Sequence, residues 1–250
     1  PAADAPEIYW VHSLSMRSVD GSPVDLGTLA HGFEDAFVAV WSGLTENDGF
    51  NRLVLTAGAS WREAALLRAL SAYRRQSGLD QPQEVQEGAL ANHPKIARLL
   101  LDLFAAKFDP AAHATLDARR AAAENIRTDI ETALRDVAAL ADDQILRRLT
   151  DLIGAVQRTN FYQVDENGHP RPFISIKVAS RELEDLPEPK PYREIFMSSP
   201  QVDGVHLRFG PVARGGLRWS DRPSDYRTEV LGLVKAQQVK NAVIVPVGSK

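Results

Sequence analysis

Two adjacent glycines, Gly215 and Gly216, sit between Arg214 and Arg218 in the run ARGGLRW. Paired glycines let a backbone turn sharply or approach a ligand closely. A guanidinium presents a planar fork of donors that matches a carboxylate or a phosphate. The chemistry open to this run is anion binding; a tight turn with surface arginines is the alternative. Downstream, Lys235, Gln237 and Lys240 fall on a predicted helix. Positions 237 and 240 are three apart and share a face. Lys240 closes that helix, where the macrodipole alone would favour a cation. Lys250 follows the apolar run AVIVPV and a turn-like Gly248-Ser249. Ligands usually bind where strands of an α/β sheet end. A lysine held near other cations has its pKa pushed down, which suits it to acid–base work near neutral pH.

Other constellations carry less. VGSK resembles the end of a phosphate-binding loop, but the earlier glycine is missing, Ile244 standing near its place, so a nucleoside-triphosphate site is rejected. Histidines 12, 31, 93, 113, 169 and 206 are scattered, with no metal-ligand spacing, and no metal site is expected. The carboxylates of 124–151 alternate with arginines, as on a solvated helix face.

The elements that must position these residues follow from periodicity and punctuation. IYWVHSLSMRSV (8–19) alternates loosely and predicts a strand remnant closed by the turn DGSP. Residues 25–156 are helical in pattern. LGTLAHGFEDAFVAVWSG places Leu29, Phe33, Phe37, Val40 and Trp41 on one stripe and stops at Gly43. Ser60 and Glu63 form a capping box for WREAALLRALSAYRRQSG, which Gly78 ends. HPKIARLLLDLFAAKFDP has Pro94 near its start and Pro110 after its end. Residues 116–156 contain no proline and predict one long helix or two placed end to end.

The character changes between 153 and 160. FISIKV and GVHLRF read as strands, while ELEDLPEPKPYREIFMSSP, with four prolines, reads as an extended loop. SDYRTEVLGLVKAQQVK is a helix with Ser224 as a candidate cap, and NAVIVPV a buried strand. The fold class expected is thus α+β or α/β: a strand remnant over 1–24, a helical region over 25–156, and the first part of an α/β substrate-binding domain over 157–250.

Composition sets the outer bounds. The 250 residues are 44% hydrophobic and 25% charged, enough for a real core. There is no cysteine, which excludes disulfides and thiolate zinc sites and fits a cytoplasmic setting. No apolar run is long enough to span a membrane, and no secretory signal opens the chain. It starts at Pro1 without an initiator Met and is expected to be an excised segment or processed product. The net charge of -4 hides an asymmetry: residues 201–250 hold eight Lys/Arg against four Asp/Glu, a local +4. A basic end on an acidic body favours a defined anion site over general polyanion binding. Nucleic acid and membrane are therefore not expected partners.

The block FGPVARGGLRWSDRPSDYRTEVLGLVKAQQVKNAVIVPVGSK resembles the start of the catalytic region of the large bacterial-type NAD-specific glutamate dehydrogenases. ENDGFNRLVLTAGASWREAALLRAL and ANHPKIARLLLDLFAAKFDP resemble the helical segment that precedes it, so the resemblance covers most of the chain. It implies that Gly215, Gly216 and Arg218 form the superfamily's Gly-Gly-x-Arg turn. It places Arg214 where a lysine usually holds the substrate side-chain carboxylate, a forked contact replacing a point charge. Gln237 and Lys240 match the pair that binds the α-carboxylate, and Lys250 the catalytic lysine. The Lys240–Lys250 spacing is shorter than in the small enzymes, so Lys250 follows the large-enzyme pattern. The implied cofactor is NAD, bound by a domain outside this chain, since no G-x-G-x-x-G follows a strand here. The implied partners are L-glutamate and 2-oxoglutarate, in a homo-oligomer, and the segment alone is expected to be inactive. The alternative is a helical scaffold whose α/β end binds an anion without chemistry.

Overall fold

The computed structural model describes residues 11–13, 26–78, 80–211 and 219–244, with the side chains of Leu26, Thr28 and 237–244 outside that description. Among the described residues, seven α-helices precede a four-stranded sheet and one follows it. Of the predicted strand remnant only Val11–Ser13 is described, and it forms no regular element.

Helix α1 (Leu26–Trp41) ends as expected at Gly43, whose φ of 69° is a left-handed value that favours glycine. Its stripe is only partly covered, with Leu29, Phe33 and Val40 half-buried. Ala36 and Ala39 are the buried residues, while Phe37 and Trp41 stack on each other with ring centroids 6.1 Å apart, Trp41 being 83% exposed. A 3₁₀ turn (Gly49–Arg52), capped by Asp48, and the short α2 (Leu53–Thr56) lead to α3 (Trp61–Gln76). The capping box is present: Ser60 Oγ accepts from Glu63 N at 3.2 Å, and Ser60 N donates to Glu63 Oε2 at 2.8 Å. α3 is buried on nearly every side, including Arg68, Arg74 and Gln76. α4 (Gln83–Asn92), unforeseen in the sequence, precedes α5 (Pro94–Phe108), which starts on its proline.

The run 116–156 is two helices, α6 (Leu116–Leu134) and α7 (Leu140–Ala155). The break lets both reach one core: Ile130 and Leu134 enter it from α6, and Ile145, Leu146 and Leu149 from α7. α7 passes directly into β1 (Val156–Thr159), which pairs with β2 (Ile174–Val178), then β3 (Arg193–Ser198), then β4 (Asp203–Arg208). Every pairing is antiparallel, so the described sheet is a meander and the arrangement α+β. β2 and β4 match the predicted strands, but β3 lies inside the stretch read as loop. Its prolines precede it at Pro187, Pro189 and Pro191, where they cost no ladder bond, and Pro200 follows. α8 (Tyr226–Ile244) starts one residue past Asp225 rather than at Ser224, and it runs through Asn241–Ile244. Those four residues are helical, not the start of a strand; an apolar run that short does not tell the two apart. The rest of NAVIVPV lies outside the described residues.

One core joins the helices to the sheet: Leu67, Leu70, Leu100 and Phe104 pack in the same cluster as Ile176, Val178 and Phe196. A charged network crosses it. Arg74 Nε donates to Asp80 Oδ2 at 2.8 Å and Nη1 to Asp185 Oδ1 at 3.0 Å; Arg148 of α7 donates to Asp80 Oδ1 at 2.7 Å. Removing one partner of a buried pair strands the other. Arg74→Met is therefore expected to cost about 3–5 kcal/mol in urea denaturation. Breaking the exposed Arg147–Asp143 pair on α7 should cost about 0.3–0.5 kcal/mol.

Lys107 closes the end of α7. Its Nζ donates to the carbonyls of Ile153 at 2.7 Å and Gly154 at 2.5 Å. Burial, then the nearby Arg127, push its ammonium down to about 8, with Glu182 pulling the other way. The cost of holding this buried charge is fully present below pH 8. It is lifted as the folded form loses its proton while the unfolded chain, ordinary for lysine, still holds it. The stability of the protein relative to Lys107→Met should thus rise between about pH 8 and 10. A flat difference in paired denaturation curves would contradict this.

Candidate functional site

In chain order Gly215 and Gly216 lie between β4 and α8, and Gln237 and Lys240 lie on α8. Arg214, Gly215, Gly216, Arg218 and Lys250 lie outside the described residues, as do the side chains of Gln237 and Lys240. What is described is the frame from which they extend.

That frame starts with a small polar turn. Trp219 is 82% exposed, and Ser220 Oγ accepts from Arg222 N at 3.2 Å. Glu229, in the first turn of α8, accepts from Ser220 Oγ at 3.3 Å and pairs with Arg222. An acidic residue there suits the positive end of the helix dipole. Lys235 is exposed further along.

Among the described side chains of α8, Arg227 is the most deeply buried. Its Nε donates to Glu194 Oε2 at 2.9 Å and its Nη2 to Glu194 Oε1 at 2.5 Å, a forked pair between α8 and β3. Both side chains are almost fully buried, at 2% and 1% exposure. Glu194 occupies an inward position of β3. Its cross-strand partners are Val178 and Leu207, both buried and apolar. Tyr73 of α3 lies alongside, its ring centroid 5.8 Å from that of Phe196. Burial, then the Glu194 carboxylate, raise the Tyr73 phenol, which stays neutral. Burial alone would lower Arg227, but the hydrogen bonds and charge of Glu194 outweigh it and raise it.

Sequence reasoning missed this pair. The signals were present but mute: a glutamate where strand alternation wants an apolar residue, and an arginine in the first turn of a helix, where the dipole disfavours a cation.

A separate cleft of about 490 Å³ is lined by Trp61, Arg62, Arg68, His169, Phe173 and Ile174 among others, none of them a predicted site residue. Two of its arginines are committed elsewhere. Arg62 donates to the Phe161 and Arg171 carbonyls at 3.2 and 3.0 Å, and Arg68 grips Asp48 at 2.6 and 2.7 Å. It is not a built anion cradle.

Among the described residues no cluster of His, Asp or Glu could hold a metal ion. Nor is any described helix long and apolar enough to cross a membrane. A dinucleotide fold needs parallel strand–helix–strand units with a glycine-rich turn. The described sheet is antiparallel throughout, so these residues do not fit NAD.

Comparison with known proteins gives the class first. Residues 129–250 match the family described as bacterial NAD-glutamate dehydrogenase, catalytic domain, and residues 45–110 match glutamate dehydrogenase, helical motif 3. The NAD-specific glutamate dehydrogenase of Pseudomonas aeruginosa is 50% identical over 242 residues, 97% of this chain. That of Halomonas elongata is 46% identical over 242 residues, again 97%, and that of Mycobacterium tuberculosis 47% over 224 residues, 88%. The chain belongs to the bacterial NAD-specific glutamate dehydrogenase family. It spans only about 15% of the length of the curated relatives it matches, 14% for the third.

Proposed function

We propose that the chain is a segment of an NAD-dependent enzyme that oxidatively deaminates L-glutamate. The overall reaction takes L-glutamate, NAD and water to 2-oxoglutarate, ammonium, NADH and a proton. The observation that carries this reading is the match of residues 129–250 to the catalytic-domain family, within a similarity that spans 97% of the chain. The +4 charge of the last fifty residues supports it, because the substrate carries two carboxylates.

In this reading 1–24 belongs to an upstream domain, 25–156 is a helical region, and 157–250 opens the substrate-binding catalytic domain. Arg214 takes the side-chain carboxylate beside the Gly215-Gly216 turn. Gln237 and Lys240 take the α-carboxylate. Lys250, its pKa depressed by those cations, polarises the carbonyl or imine and exchanges protons with water. The dinucleotide sits on a domain elsewhere in the longer protein, and the segment alone is inactive. The assembly is a cytoplasmic homo-oligomer that binds neither membrane nor nucleic acid.

The test uses the full-length enzyme. NADH formation with L-glutamate is measured in wild type, Lys250→Ala and Lys240→Ala. Lys250→Ala should lower kcat by about 10²–10⁴-fold with folding and NAD binding intact. Lys240→Ala should act mainly by raising the KM for L-glutamate. A wild type that forms no NADH from L-glutamate sinks the reading.

A further inference from the structure

Among the described side chains of α8, only Arg227 and Leu231 are buried, Leu231 at 7% exposure. Val230 and Val234 are half-buried, and Leu233 is exposed. Over residues 226–236 so little apolar surface is buried that hydrophobic contact, non-directional in any case, does not locate the helix there. What locates it is the forked pair between Arg227 and Glu194. A fork of two parallel donors fixes direction as well as distance.

Neither residue is where it is for local reasons. A cation in the first turn of a helix opposes the dipole. A carboxylate between Val178 and Leu207, on the inward face of a sheet, is costly unless it is paired. Each is tolerable only because of the other. Buried ion pairs of this kind are best attested as devices that set register.

We infer that Glu194 and Arg227 are positioning residues, which set the rotation and height of α8 on the sheet and so place positions 237 and 240 for the substrate α-carboxylate. A helix is a stiff rod rising about 1.5 Å per residue, so those positions lie about 15 and 20 Å along it from Arg227. A slip at the anchor is carried to them undiminished. The inference rests on the glutamate reading above. Neither residue touches the substrate in it.

The test again uses the full-length enzyme, with Glu194→Gln, Arg227→Lys and the double variant Glu194→Leu/Arg227→Met. Arg227→Lys keeps the charge and loses the fork, so it reports geometry in a chain that still folds. The double variant replaces the pair with apolar side chains of similar bulk, which preserves stability and discards direction. All three should raise the KM for L-glutamate about 10- to 100-fold, the effect expected of a misplacement near 1 Å. The effect on kcat should be smaller and the KM for NAD should not move. The double variant should do this while keeping its melting temperature. Wild-type KM for L-glutamate in Arg227→Lys or in a folded double variant overturns the inference. So does a parallel rise in both KM values that tracks lost stability. A wild type without glutamate-dependent NADH instead removes the underlying reading, and this inference with it.

Discussion

α3 is buried on nearly every side, and a helix so placed cannot leave its polar side chains to water. Its two buried arginines are met by partners from surrounding elements. Arg68 is met by Asp48 and Thr45 from the segment after α1. Arg74 is met by Asp80 and Asp185, and Arg148 of α7 joins the same two carboxylates. Tyr73 brings its hydroxyl beside the Glu194–Arg227 pair and its ring against Phe196. The demand for satisfied charge around one helix therefore arranges the loop before it, the helix pair beside it and the sheet beneath it.

The same demand connects the helical region to the sheet and to α8, within the stretch that matches the catalytic-domain family. α3 touches β3 and α8, and β3 holds α8 by one buried fork. The helical segment thus packs against the sheet and α8 rather than standing apart from them. Phe37 and Trp41, stacked on the outward side of α1, lie beyond this core. Their exposure, beside the half-buried Leu29, Phe33 and Val40, is a property of the fold that its apolar stripe did not foretell.

Local chemistry was legible in the sequence. Ser60 and Glu63 close a capping box, Pro94 starts α5, Gly43 takes the left-handed turn after α1, and β2 and β4 follow the alternation of FISIKV and GVHLRF. Each rests on residues a few positions apart, which is the range over which caps and periodicity act. The charge asymmetry and the ordered family blocks were legible too, and they carried the functional reading.

What only the tertiary structure decided lies at longer range. The run 116–156 has uniform helix propensity, and its break appears because both halves must reach one core. β3 hides behind its prolines, with a glutamate in an inward position that spoils its alternation. That glutamate makes sense only with Arg227, thirty-three residues later, and no local pattern reports a partner at that distance. Sequence by itself determined the caps, the turns and the family. The buried pairs, the helix break and the facing of α1 depended on which surfaces were left to bury, a property of the assembled chain and not of any window along it.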